Sequence, residues 1–315
     1  MTTTTNILPQ PVQQKFVAKL LSTPQSRLIH KLVADPYTMP DGSGNIVRKR
    51  RYTRLDTAPV PVNPAMMNPP SQQQRVVDID AKIDWYATYV VITEEVTKTN
   101  QDPVLNGTTA RLGQSLRETE DELIRSMLEA TASIVNCTGG VNGDNPTEVV
   151  RSDIDGVIAT LQHNDGEFVS EMIGGENKFG TGPIRDAYFC MADTGLIGQL
   201  ENVNGFTAKA GYPNDKGTLA SEWGSISNVR FFLSSRGSID TAASLLGDNV
   251  YNMFVAAQES YTCIDLSGTK TNVIYHPPGW GDDPCELRQT LGYRFAYASR
   301  ITNDAWLINL RTTLA

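Results

Sequence analysis

Residues 283–314 read DPCELRQTLGYRFAYASRITNDAWLINLRTTL. Tyr293, Phe295 and Tyr297 alternate with Gly292, Arg294 and Ala296. Thr302, Asn303 and Asp304 supply turn chemistry, after which Trp306, Ile308 and Leu310 alternate again. This period of two predicts an amphipathic β-hairpin, each strand turning every second side chain towards a covered face.

Working outward, the 315 residues exceed the size at which a single core stops growing, so two closely packed lobes are expected. Hydrophobic residues make up 40% and charged residues 20%, a globular composition. The net charge of −8 argues against a surface built to grip nucleic-acid phosphates, leaving only weak, non-specific contact with DNA. No apolar run reaches the roughly 18 residues needed to span a bilayer, and the first residues lack the order of a signal peptide, so no membrane partner and a cytosolic origin are expected. Cys137, Cys190, Cys263 and Cys285 are widely spaced and suit free, mostly buried thiols better than a zinc site or a disulfide framework.

Residues 1–70 are rich in Pro, Thr, Gln and Asn, with prolines at 59, 61, 64, 69 and 70 that bar a helix or a central strand. An extended arm follows, and Phe16, Leu20, Leu21, Leu28, Ile29, Leu32 and Val33 on it are expected to find cover on another subunit. Met66 and Met67, mounted between prolines, are adaptable side chains suited to a neighbour's groove. The basic run at 48–51 (RKRR) suits a solvated turn or an acidic neighbour.

Residues 75–100 alternate as two strands of a sheet, which places Glu94 and Glu95 on opposite faces. Asp102 and Pro103 begin a long helix running to about Asn136, about 50 Å at 1.5 Å per residue, with Leu112, Leu116, Leu123, Met127 and Ile134 as its apolar stripe. Arg111, Arg117, Glu118, Asp121, Glu122, Arg125 and Glu129 would form its solvated faces. Ser152 is read as the cap of a second helix striped by Ile154, Val157, Ile158 and Leu161. Glycine-rich residues 166–182 form a surface loop without the order of a phosphate cradle. Strands at 187–191 and 229–233, a strand pair within 251–266, another strand at 273–275 and a short helix at 193–200 complete a mixed α/β lobe.

This order of parts resembles the Hong Kong 97 capsid fold. Arg51-Tyr52-Thr53-Arg54-Leu55, the strand 85–93 before Thr99-Asn100-Gln101-Asp102-Pro103, the Gly-x-Ile-x-x-Val-Arg-Phe pattern at 224–231 and the 283–314 block are similar to the coat-protein family named for coliphage N-four. The resemblance implies an α+β fold with an N-terminal arm (1–49), an E-loop and its base strands (50–93), a peripheral domain with a spine helix (94–151), an axial domain (152–281) and a C-terminal peripheral hairpin (282–315). It implies a shell protein, made in the bacterial cytoplasm and resident in the virion, whose hexamers and pentamers enclose double-stranded DNA. Portal, scaffolding and decoration proteins would be its partners. Candidate interface residues are Phe16, Leu20, Arg50, Arg51, Arg54, Met66, Met67, Pro69, Arg117, Glu118 and Glu122. No catalytic, cofactor or metal site is expected. A tail-tube or decoration protein is the structural alternative. An enzyme would have to rely on His30, His163 or His276, none of which accompanies a nucleophile motif.

Overall fold

The computed structural model describes residues 26–55, 71–99, 104–140, 143–172, 184–212, 218–219, 221–241, 244, 246–267 and 272–314. Phe16, Leu20, Leu21, Met66, Met67, Pro69, the Asp102-Pro103 helix start and most of the glycine-rich loop lie outside these residues. In chain order, β1 (Asp35–Met39), β2 (Ile46–Tyr52), β3 (Val76–Lys82) and β4 (Asp84–Thr93) precede the short helix α1 (Glu94–Thr99) and the long helix α2 (Val104–Glu129). Then come β5 (Ile134–Asn136), α3 (Arg151–His163), β6 (Tyr188–Asp193), α4 (Ile197–Asn202), β7 (Phe206–Ala208), β8 (Glu222–Ile226) and β9 (Val229–Ser234). Last are β10 (Ser238–Asp240), β11 (Val250–Ala256), β12 (Tyr261–Leu266), β13 (Asn272–His276), β14 (Arg288–Ile301) and β15 (Leu307–Thr313).

An eight-stranded sheet has the order β5-β15-β11-β6-β9-β8-β7, with β10 also on β11. Its central strands are buried on both faces, and their period of two divides them between two cores. Tyr188, Cys190, Val229, Phe231, Met253, Val255, Ile308 and Leu310 pack with α3 and α4. Phe189, Met191, Phe232, Phe254 and Leu307 turn the other way, towards α2 and the aromatic face of β14. Both sheets contribute to this second core, which fastens the lobes together.

The five-stranded sheet is built on β14, the fourteen-residue strand that pairs with β4 along one side and with β13 and β12 along the other, β1 extending it beyond β12. The turn at 302–304 stands where expected, but β14 and β15 do not form a hairpin. β15 enters the eight-stranded sheet between β5 and β11. Alternation fixes which face of a strand is apolar and does not fix its neighbour. The same reason separates β3 from β4, since β3 pairs with β2 in a two-stranded ribbon. It also separates β11 from β12, which belong to different sheets.

Helix α2 spans 26 residues, about 39 Å, and buries Leu112, Leu116, Ile124 and Leu128 at intervals of four and eight, with Asp121 beside them. It stops short of Asn136 because Ala130 and Thr131 N–H turn back to the carbonyls of Met127 and Leu128. Ile134 then lies on β5 and not on the helical stripe. Glu94 and Glu95 open helix α1 and do not lie in a strand, and Glu94 pairs with Lys98 one turn on. At α3, Val150 is the N-cap. The capping acceptor is Asp153, whose carboxylate takes the N–H groups of Val150 and Thr138, both at 3.2 Å, so Ser152 does not cap the helix.

This chain itself shelters only part of the described arm, since Leu32 is exposed and Leu28 half-buried. Ile29 and Val33 are buried in this chain's own second core, beneath α2 and between the two sheets. Glycine at 224 is required by packing: a Cβ there would lie 2.5 Å from the Phe206 ring and 2.7 Å from the Thr207 carbonyl oxygen.

Candidate functional site

The β2–β3 ribbon places the basic run beside acidic partners. Residues 48 and 50 share one face of a strand, and the antiparallel register sets Arg48 opposite Asp80 and Arg50 opposite Asp78. Arg48 makes two bonds to Asp80, 2.7 and 2.8 Å, and Arg50 reaches Asp78 at 2.8 Å. The hydrogen bond and charge of each arginine hold the facing carboxyl below its ordinary range, and the carboxylates raise both guanidinium groups in turn. On the other face, Lys49 bonds Asp35 at 2.5 Å and Thr262 at 2.9 Å, seating the ribbon on the five-stranded sheet. Arg51 stands on that same face, opposite Val77 in the ladder. Beyond the ribbon, exposed Arg54 pairs with Asp165 at 2.8 Å.

Of the residues singled out on α2, Arg117 and Glu122 are exposed, and Glu122 pairs with Arg125 at 3.3 Å. Glu118 is engaged within the chain. It accepts from Ser26 at 3.0 Å and from Gln114 at 3.1 Å, and it pairs with Arg236 at 3.2 Å. Ser26 of the arm and the segment before β10 thus meet on one carboxylate. Among the described residues, no ion pair joins Arg50, Arg51 or Arg54 to Arg117, Glu118 or Glu122.

Asp121 departs from the expected solvated face. It is buried and holds His30 twice, through the backbone N–H at 3.0 Å and through Nδ1 at 2.7 Å. Tyr261 donates to the His30 carbonyl, and the imidazole stands edge-on to Phe254. His30 is therefore a fastening, not a catalytic base with access to substrate. His276 stacks on Trp280 at 4.8 Å, and His163 lies in the last turn of α3. Cys137, Cys190 and Cys263 are buried free thiols, and burial raises all three, Cys263 to about 11. Among the described residues no group of three or more His, Cys, Asp or Glu side chains could hold a metal, and no helix is long and apolar enough to cross a membrane.

Reading the sequence missed an exposed apolar face on the five-stranded sheet. Trp85 is 58% exposed, Tyr89 71% and Trp280 65%, with Val91 beside them. Arg294 lies 6.0 Å from the Trp85 ring, and a depression of about 300 Å³ opens between Tyr89, His276, Trp280 and Arg288. The signal was present in the alternation of Trp85, Ala87, Tyr89 and Val91, whose mates Tyr86 and Ile92 turn inward.

No family model and no curated protein matches the sequence. Solved structures do. A chain from the capsid of Ralstonia phage GP4 superposes with a TM-score of 0.69 at 14% identity, over 100% of this chain and 99% of that one. The acid-stable capsid of Helicobacter pylori bacteriophage KHP30 gives 0.71 at 10% identity, over 100% and 99%. The capsid of Cyanophage P-SCSP1u gives 0.65 at 13% identity, over 100% and 96%. The chain accordingly shares, over its whole length, the α+β fold of chains that build phage capsids.

Proposed function

We propose that this protein is the major capsid subunit of a tailed bacteriophage, which assembles with copies of itself into the hexamers and pentamers of an icosahedral head. The observation that carries this reading is the end-to-end likeness to capsid chains, in which both partners are covered almost completely. The described residues add support of a different kind: a long helix under an exposed apolar sheet face, a charged two-stranded ribbon, and histidines used for packing. Within this reading, residues 50–93 act as the E-loop and its base, 94–151 and 282–315 as the peripheral domain and 152–281 as the axial domain, except that β12 and β13 cross to the sheet of β14 and β15 crosses to the eight-stranded sheet. The interface residues Arg50, Arg51, Arg54, Arg117 and Glu122 meet neighbouring subunits, together with Phe16, Leu20, Met66, Met67, Pro69 and Glu118.

The shell encloses double-stranded DNA by weak contact, as a chain of net charge −8 requires. It receives a portal and takes scaffolding or decoration proteins as partners. Its work is mechanical and its place is the virion. The test is to express the full chain, alone and with its neighbouring head genes, and to examine the product by sedimentation and electron microscopy. Closed particles or ring-shaped capsomers are expected. A monomer at all concentrations and in both settings would overturn the reading.

A further inference from the structure

After β13 the chain reads YHPPGWG at 275–281 and folds back on itself. The Trp280 N–H bonds the Pro277 carbonyl at 3.3 Å, and Gly279 takes a φ of +83° at the third position of the turn, after a proline that suits the second. Residue 280 is thereby returned beside residue 276. The two rings lie nearly parallel, 14° apart in plane and 4.8 Å apart in centroid, while Trp280 remains 65% exposed. This stack ties the end of β13 to the loop that borders the exposed face of the five-stranded sheet.

Histidine changes charge between about pH 5 and pH 8. The face of an indole ring is electron-rich, so it attracts a cation within about 6 Å of its centre, an attraction that a neutral ring lacks. We propose that the His276–Trp280 stack is an acid-strengthened clasp, which tightens the 277–283 loop on the sheet when the imidazole takes up a proton and slackens it when the proton leaves. A group stabilised in its protonated form contributes fully in acid and loses its contribution as pH rises. Such a clasp works within one subunit and does not depend on shell assembly.

The titratable and charged neighbours agree in sign. Asp282, Asp283 and Glu286 face the stack from the loop, Arg288 from β14 and the Tyr89 phenol from β4, with Glu286 lying against Gly279. Three carboxylates against one guanidinium favour a positive imidazole. The guanidinium is also engaged elsewhere, since Nη2 of Arg288 donates to the Asp282 carbonyl at 2.9 Å and its Nε lies 4.0 Å from the Asp283 carboxylate. Asp283 keeps its charge over the whole range, because the N–H groups of Arg288, Leu287 and Gly279 hold its carboxyl below 3.8. It is therefore not the source of a change between about pH 5 and pH 8.

The test is hydrogen exchange of the full chain, read by mass spectrometry over residues 277–285 and corrected for the intrinsic pH dependence of exchange. From about pH 8 to about pH 5, protection of the Gly279 and Trp280 amides should rise about twofold to fivefold, the effect of one exposed cation–aromatic contact. The rise should vanish in His276→Gln, which keeps a planar polar side chain, and in Trp280→Leu, which keeps the imidazole. His30 and His163 are intact in both variants, so any influence of theirs persists there. Constant protection in the parent overturns the clasp, as does protection that falls in acid. An equal rise in the parent and in His276→Gln also overturns it, by placing the switch on another group.

Discussion

His30 draws together three parts of the molecule that lie far apart in sequence. Its backbone and ring bond Asp121 on α2, its carbonyl takes the Tyr261 hydroxyl of β12, and its ring meets Phe254 of β11. Replacing it with alanine leaves a buried carboxylate short of its ring partner, and removing one member of a buried pair costs about 3 kcal/mol or more. The expected outcome for His30→Ala is a loss of that size in denaturant unfolding, with faster amide exchange along residues 26–34. A midpoint within error of the parent would contradict the fastening role. Asp121 looked solvated in the sequence because helical spacing reports only which residues share a face of α2, and its partner lies 91 positions earlier. Asp283 is a second such point. The N–H of Arg288 at 2.8 Å, helped by those of Leu287 and Gly279, holds its carboxyl below the ordinary value of 3.8. A depressed carboxyl stabilises the fold above that ordinary value and loses its effect as pH falls through the lower, folded value. Protection of the Leu287 and Arg288 amides should therefore weaken on acidification below 3.8 in the parent and be absent at neutral pH in Asp283→Ala. Equal protection in the two proteins at neutral pH would dismiss the cap.

Among the elements, α2 was the most legible, since leucines at 112 and 116 and a charged remainder admit one period. Its end was less so, because Ile134 continues the heptad spacing by coincidence while its backbone is claimed by β15. The stripe also drifts, so that Ile124 and Leu128 are fully buried whereas Leu123 and Met127 lie at the margin of the core. This difference is measurable. Ile124→Ala should cost about 2–5 kcal/mol through lost contacts and the cavity left behind, and Leu123→Ala clearly less. Chemical denaturation of the two variants decides the order, and the reverse order would show that the helix is rotated. Some strands were likewise readable, β4 and β14 from alternation and β6 as a short buried run, whereas β2, β5 and β8 were not. Strand partners were not, because a partner is chosen by the shape of the whole sheet. The 224–231 pattern is a case where wording and physics agree: Gly224 is small because the Phe206 ring and the Thr207 carbonyl of the neighbouring strand β7 fill the space a Cβ would need.

At the scale of the whole molecule, the α+β class and the long helix were visible in the sequence, and the likeness to phage capsid chains agrees with the fold class. The exposed face around Trp85, Tyr89 and Trp280 was hidden, because exposure of an aromatic side chain depends on what fails to cover it. In the shell reading the proline-rich segment 61–70 is a contact with neighbours. Its deletion should leave a soluble subunit with the parent's circular dichroism but without closed particles in electron micrographs. Normal particles from that deletion would remove the segment from the assembly scheme. The division of β14 and β15 between two sheets carries one more consequence. β4 waits for β14, and β5 and β11 wait for β15, while β1 must find β12 more than two hundred positions away. A nascent polypeptide that has left the ribosome only as far as residue 280 therefore has neither sheet closed and several sticky borders uncovered. Such long-range topologies fold slowly, so competence to associate arrives late, once residues 288–313 have threaded both halves together.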